Sequence, residues 1–195
     1  MTKRIFDIIS SFFFLVLIFP LFILISILIK IDSKGPIFFK QIRVGKNNKD
    51  FLLLKFRTMR VDQKNSSLIT VGNDSRITNV GNFLRKYKLD EFPQLINILK
   101  GEMSVVGPRP EVRKYVDMYS ISQLEILSVK PGLTDPSSIK FSNESELLGT
   151  AENPEKYYIE TLMPLKILIS LKYIRTQSFV GDLRIIFQTF SKIFK

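Results

Sequence analysis

Asp90 and Glu91 form an adjacent carboxylate pair, preceded at once by Arg85, Lys86 and Lys88. The stretch Arg85-Lys-Tyr-Lys-Leu-Asp90-Glu91-Phe-Pro93-Gln-Leu-Ile-Asn-Ile-Leu-Lys-Gly101 reads as two helices joined at this pair. Pro93 suits a first helical turn and Gly101 the position just past the last one. The pair therefore sits at a helix start, where free amides and the helix dipole favour anions. A lone Asp there serves as a plain helix cap; two carboxylates among bases invite a second reading. An Asp is ionised at pH 7 and needs no His to make it a nucleophile. Its attack on a phosphoanhydride would give an acyl-phosphate, with charge neutralised by Arg, Lys and Mg²⁺. Glu91 could hold that metal.

A second element follows in Gly107-Pro108-Arg109-Pro110. Two prolines fix the backbone around Arg109 and would present its guanidinium rigidly to a phosphate. By itself this is only a turn signal. Arg85, Arg109, Lys55 and Arg57 are the candidates for phosphate contacts, against the plainer reading of each as a solvated base.

The composition fits this chemistry. The 195 residues include no His, no Cys and no Trp, and 29 basic side chains against 18 acidic ones leave a formal charge of +11. Zinc fingers, Ser-His-Asp triads, thiol catalysis and disulfides are excluded. Any metal is a hard cation held by oxygen, such as Mg²⁺, Mn²⁺ or Ca²⁺. The positive charge predicts an anionic partner: phospholipid, nucleic acid or a phosphorylated substrate.

The elements that must position these residues begin with an apolar run. Ile8 to Ile29 is 22 residues without a charge, broken only by Ser10, Ser11, Pro20 and Ser26. A bilayer core needs roughly 20 apolar residues as helix, and this run has no polar stripe of the kind a soluble core helix carries. It is too long for a signal peptide and ends in Lys30-Ile-Asp-Ser-Lys34 rather than in small residues. Lys3 and Arg4 precede it and Lys30 and Lys34 follow, which favours keeping both ends on the cytoplasmic side. With Pro20 near the midpoint, a re-entrant helix broken at that proline satisfies both observations; a tilted, proline-kinked span remains the alternative.

Residues 30–64 carry ten basic side chains against Asp32, Asp50 and Asp62, net +7, as expected beside an anionic leaflet. No helix-turn-helix, zinc or RNA-recognition pattern accompanies the charge, so a nucleic-acid partner is not expected. Pro36 to Val44 and Phe51 to Thr58 flank Gly45-Lys-Asn-Asn-Lys-Asp50 and predict a short hairpin. From Phe179 to Lys195, apolar residues including Leu183, Ile186, Phe190 and Phe194 recur at helical spacing opposite Arg184, Gln188 and Lys192. Such a helix suits a membrane interface or the domain core equally. Met163 to Arg175 has similar character, and a turn is expected at Thr176-Gln-Ser-Phe179.

Taken together and in order, the motifs resemble the small monotopic bacterial phosphoglycosyl transferases, the bacterial sugar transferase family. The resemblance runs through Lys3-Arg4-Ile-Phe-Asp7, the apolar run with its proline, Gly35-Pro-Ile-Phe-Phe-Lys-Gln-Ile-Arg-Val-Gly45 and Lys55-Phe-Arg-Thr-Met59. It continues in Asp74-Ser-Arg-Ile-Thr78, Leu84-Arg85, Leu89 to Asn97, Lys100-Gly-Glu-Met-Ser104, Val106 to Pro110 and Lys130-Pro-Gly-Leu-Thr134. It implies transfer of a phospho-sugar from a UDP-sugar to undecaprenyl phosphate with release of UMP, the first membrane step of a capsule, O-antigen, exopolysaccharide or glycoprotein glycan. It implies Asp90 as the nucleophile of a covalent intermediate, Glu91 and Mg²⁺ as its helpers with both carboxylates near the metal, and a re-entrant N-terminal helix. The expected place is the bacterial inner membrane, with the catalytic domain on its cytoplasmic face and in contact with anionic lipids.

Three departures stand out. Phe19 precedes Pro20 where a Ser is common, Asp135-Pro-Ser-Ser-Ile-Lys140 follows Thr134 where Gly-Trp is common, and Gly81-Asn82 replaces Gly followed by a base. The chain is also too short for the additional N-terminal membrane domain of larger relatives, so a minimal catalytic unit is expected. The expected fold is α+β, mainly helical with a small hairpin: a membrane-inserted helix over 1–34, a catalytic domain over 35–150, and interfacial amphipathic helices over 151–195. A basic membrane-surface scaffold that binds anionic lipids without catalysis is the competing reading. It accounts for the charge and the apolar run but not for two carboxylates gathered among bases.

Overall fold

The computed structural model describes residues 2–61 and 74–193. Asp62, Lys64, Phe194 and Lys195, which entered the charge count and the C-terminal pattern above, lie outside the described residues.

Helix α1 (Thr2–Asp32) contains the whole apolar run. Its buried residues Asp7, Ser11, Ile18, Ile25 and Ile29 recur at intervals of four and seven and so form one stripe. Ile8, Ile9, Phe12, Phe13, Val16, Leu17, Phe19 and Leu24 are exposed. Hence α1 is not apolar all round in environment: one stripe meets protein and the rest meets the surroundings. Pro20 lies inside α1, which continues through it as one helix. Ser10 and Ser26 donate back to the Phe6 and Phe22 carbonyls, at 2.6 and 2.7 Å, which keeps both hydroxyls satisfied on an apolar helix.

The predicted hairpin is present. Strands β1 (Phe38–Val44) and β2 (Asp50–Phe56) pair antiparallel, with Phe38 opposite Phe56 and Val44 opposite Asp50. Asn47 and Asn48 take left-handed conformations in the connection, a role their side chains tolerate better than most. A second, unexpected sheet joins β3 (Ser104–Val106) and β4 (Gly132–Thr134) in parallel. Their approach depends on glycine: a Cβ on Gly132 would lie 2.1 Å from the Gly107 nitrogen. Gly132→Ala therefore has to part the two segments, and thermal unfolding should show a loss of about 1–3 kcal/mol or more. An unchanged melting temperature would contradict the packing.

Between the sheets come α2 (Asn79–Lys86) and α3 (Gln94–Lys100). Two apolar clusters seat α1 on this half: Ile18 with Leu53, Leu95, Ile98 and Met103, and Ile25 and Ile29 with Phe56 and Leu84. The other half is helical: α4 (Arg113–Val116), α5 (Pro136–Lys140), α6 (Glu144–Gly149), α7 (Pro154–Tyr157), α8 (Met163–Arg175) and α9 (Phe179–Ile193). Its core gathers Val112, Tyr115, Leu148, Tyr158, Leu162, Met163 and Ile167. The described chain is thus mainly helical with small sheets.

Helix α9 packs on the rest of the chain along one side. Asp182 is buried and accepts from Lys3 of α1 and, at 2.7 Å, from Tyr173 of α8, while Phe179 meets the Phe6 ring edge-on at 5.3 Å. Val180, Phe187 and Phe190 remain exposed.

Candidate active site

Asp90 and Glu91 lie in a single 3₁₀ turn (Leu89–Glu91) between α2 and α3, and both are buried. Gly101 closes α3 in a left-handed conformation, as its position suggested. From the far end of α1's sequence, Arg4 caps α3 by donating to the Ile98 and Leu99 carbonyls at 2.6 and 3.0 Å.

The two carboxylates have different surroundings. Glu91 Oε1 accepts from Lys55 Nζ at 2.7 Å and from Arg109 Nη2 at 2.9 Å. Burial opposes its ionisation, but Arg109 and Lys55, with help from Lys88, outweigh this and hold its carboxyl well below the usual range. Asp90 enters no ion pair among the described residues, and its Oδ1 is buried without a hydrogen-bond partner. Burial pushes the Asp90 carboxyl up, and the neighbouring Glu91 adds to this against the pull of Lys55, Lys88 and Arg85. One carboxylate is clamped and the other left free, a division of roles set by environment alone.

Each basic partner is positioned by its own element. On β2, the Leu54 amide donates to Asn97 Oδ1 at 3.1 Å, and Asn97 Nδ2 donates to the Leu52 carbonyl at 2.8 Å. Buried Asn97 thus ties β2 to α3 and sets Lys55 against Glu91. Burial lowers the Lys55 pKa even as Glu91 supports its charge. Arg109 rides on a loop held by β1: the Val44 amide donates to the Glu111 carbonyl at 2.9 Å, and Arg43 donates to the Pro110 carbonyl at 3.1 Å. Glu91 raises the Arg109 pKa, so this cation stays charged. Arg85 donates from Nε to Thr58 Oγ1 at 2.9 Å. Its helix is pressed against that strand end so closely that a Cβ on Gly81 would lie 2.1 Å from the Thr58 carbonyl oxygen.

Arg57 is not brought to the carboxylates. Its guanidinium donates to the carbonyls of Lys34 at 2.7 Å, Ser33 at 2.6 Å and Ile29 at 3.3 Å, capping the end of α1. A cation at a helix C-terminus meets the negative end of the dipole, and the guanidinium's terminal N–H groups suit the carbonyls gathered there. Gly35, at φ +130°, makes the fit possible: a Cβ there would stand 1.9 Å from Arg57 Nη1. Of the four phosphate candidates, Lys55 and Arg109 meet Glu91, Arg85 stands within the field of both carboxylates, and Arg57 anchors the end of α1.

Other contributors went unread. Asp7 accepts from Ser104 Oγ at 2.9 Å and from the Val105 amide at 3.0 Å, so it fixes α1 to β3. Asp135 is buried at the start of α5, its Oδ1 lacks a partner, and its field reaches Arg109. The signals were Asp7, the carboxylate directly before the apolar run, and Asp135, at the departure after Thr134.

Asp90 and Glu91 suit a magnesium ion in chemistry and number. Mg²⁺ commonly takes one or two carboxylates and completes its shell with water and substrate phosphate. Asp90 Oδ1 is a buried oxygen in want of a partner. Among the described residues no cluster of three or more carboxylates that could hold a metal occurs, so an all-protein cage is not what the site provides.

A family profile described as bacterial sugar transferase matches residues 1–195. The UDP-glucose:undecaprenyl-phosphate glucose-1-phosphate transferase of Klebsiella pneumoniae is 41% identical over 197 residues, covering 98% of this chain and 40% of that protein. The exopolysaccharide production protein PSS of Rhizobium leguminosarum bv. phaseoli is 39% identical over 198 residues, covering 96% and 92%. The UDP-N-acetylgalactosamine-undecaprenyl-phosphate N-acetylgalactosaminephosphotransferase of Aeromonas hydrophila is 36% identical over 181 residues, covering 89% and 43%. The chain thus spans less than half the length of two of these relatives and nearly all of the third.

Proposed function

The chain belongs to the bacterial sugar transferase family, and from that premise we propose that it transfers a sugar phosphate from a UDP-sugar to undecaprenyl phosphate, beginning an exopolysaccharide or capsule chain. The observation that carries the reading is the free Asp90 carboxylate beside a Glu91 whose Oε1 is held by both Lys55 and Arg109. In the first step an Asp90 oxygen forms a bond to the sugar-bearing phosphorus. The bond from that phosphorus to the bridging oxygen breaks, and UMP leaves with the electron pair. In the second, an oxygen of undecaprenyl phosphate attacks the same phosphorus and returns the electron pair to Asp90. The product is a polyprenyl diphosphate sugar. No proton needs a shuttle in either step, which suits a chain without His.

Lys55 and Arg109 hold Glu91 in place and present positive charge to the entering diphosphate, and Arg85 keeps its two terminal nitrogens for the same purpose. Asp90 and Glu91 would hold Mg²⁺, which when bound neutralises charge on the phosphates. The fold also favours a helix that enters and leaves one leaflet. At one end of α1 Arg4 is bound to α3, and at the other Asp32 accepts from the Val80 amide at 2.9 Å while Arg57 caps the helix. Both ends and the middle rest on the same domain, so a full span would draw α3 and β2 into hydrocarbon with it. The bare faces of α1 and α9 meet the acyl region, and the bases flanking α1 meet anionic headgroups on the cytoplasmic side.

A panel of UDP-sugars tests the proposal, with the chain in detergent or vesicles. Labelled UMP should exchange into one of them without lipid acceptor, and adding undecaprenyl phosphate should convert exchange into net UMP release. Tight binding to anionic liposomes with no exchange and no release on any sugar would favour the scaffold instead.

A further inference from the structure

Lys88 precedes the carboxylate pair by one residue and is exposed. Its backbone is left-handed, with φ 56° and ψ 20°, a conformation that crowds any residue bearing a Cβ and that Gly or Asn takes more readily. It stands just past the last turn of α2, where its amide donates to the Arg85 carbonyl at 3.2 Å and the chain turns toward the carboxylate pair.

The other cations near the pair have partners. Lys55 and Arg109 are bound to Glu91, Arg85 to Thr58, and Lys86 lies 5.4 Å from the centre of the Tyr87 ring. The Lys88 ammonium has no ion pair and no hydrogen bond among the described residues. Its field nevertheless reaches both Asp90 and Glu91. It is a cation beside the nucleophile, on the solvent side, and free to take an anion.

We infer that Lys88 binds the phosphate of the departing nucleoside monophosphate. This rests on the transfer proposed above. When the bond to the bridging oxygen breaks, that oxygen stays with UMP and its phosphate gains one negative charge. Lys55 and Arg109 are already engaged with Glu91, next to the carboxylate that takes the phosphoryl group. The charge that grows on the leaving side needs a donor that is not already paired, and an ammonium on a flexible four-carbon stem can follow the phosphate as it moves out.

UMP itself is the probe, measured by equilibrium binding and by the UMP concentration that half-saturates the exchange reaction. Lys88→Asn removes the charge and relieves the backbone, while Lys88→Arg keeps the charge. At low salt Lys88→Asn should weaken UMP about tenfold with a melting temperature equal to or above the parent's, and Lys88→Arg should stay within about threefold. The difference should shrink as salt is raised. Unchanged UMP affinity in Lys88→Asn would overturn the inference, as would a loss shared by both variants together with lowered melting temperatures, which marks a structural role. A parent chain that neither binds UMP nor exchanges it would overturn the transferase reading as a whole, so the two failures are distinguishable.

Discussion

Asp90→Asn should abolish UMP exchange and release, by at least about a thousandfold, while leaving the protein folded and membrane-bound. The amide keeps the shape of the side chain but cannot form the bond to phosphorus. Stability should move the other way. Asp90 is a buried carboxylate with an oxygen that no group satisfies, so a neutral amide lightens a desolvation cost that the folded chain carries. The sign follows from linkage. Burial raises the Asp90 pKa above its unfolded value. Its contribution is therefore most favourable below the unfolded pKa and is lost as pH rises through the folded one. At neutral pH the parent bears this loss and the Asn variant does not. Activity has the opposite dependence, since the nucleophile must be ionised. The acid limb of the exchange rate should lie above the ordinary Asp range in the parent. A melting temperature that drops sharply in Asp90→Asn would show that the residue holds the fold rather than the chemistry.

Glu91→Gln should harm both. It leaves Lys55, largely buried, without its carboxylate at 2.7 Å, and Arg109 without its partner at 2.9 Å. Breaking such a pair from one side costs about 3–5 kcal/mol; the lower end applies, because the Arg109 side chain is 38% exposed and water screens it. The depressed Glu91 pKa gives the pH dependence: its stabilisation is present above the unfolded carboxylate pKa and fades as pH falls through the folded value. In the Gln variant that acid-dependent part of the unfolding free energy should vanish. Adding Lys55→Met to Glu91→Gln should recover part of the stability by removing the stranded charge, yet no activity. Full turnover in Glu91→Gln, or recovery of turnover in the double variant, would remove Glu91 from the mechanism. The cycle separates a structural ion pair from a catalytic one.

How far these features were legible in the residues depends on range. The apolar run, the hairpin and the Asp90-Glu91 turn each carry a local pattern, and the structure has α1, β1 with β2, and the 3₁₀ turn in those places. Lys55 and Arg109 were named as phosphate ligands, but nothing local could tell that both would converge on Glu91. The β3–β4 pair is three residues a side and parallel, too short for any period, and it exists because Gly107 and Gly132 let two backbones meet. Arg57 sits two residues from Lys55 on the same strand end, and the same charge reads alike in both. Their fates diverge because Gly35 opens a place for one guanidinium at the end of α1, a packing fact with no trace in charge. Pro20 pointed to a broken helix, whereas α1 runs on through it with both ends held on one domain.

The central claim, that Asp90 becomes bonded to the sugar phosphate, has one direct measurement. The chain is mixed with its UDP-sugar in the absence of lipid acceptor, quenched in denaturant, digested and weighed by mass spectrometry. The peptide containing Asp90 should gain the mass of one sugar phosphate, and a chase with undecaprenyl phosphate should remove it. An unmodified Asp90 peptide in an enzyme that releases UMP only when the lipid acceptor is present would contradict the account, and so would the same mass on any other residue.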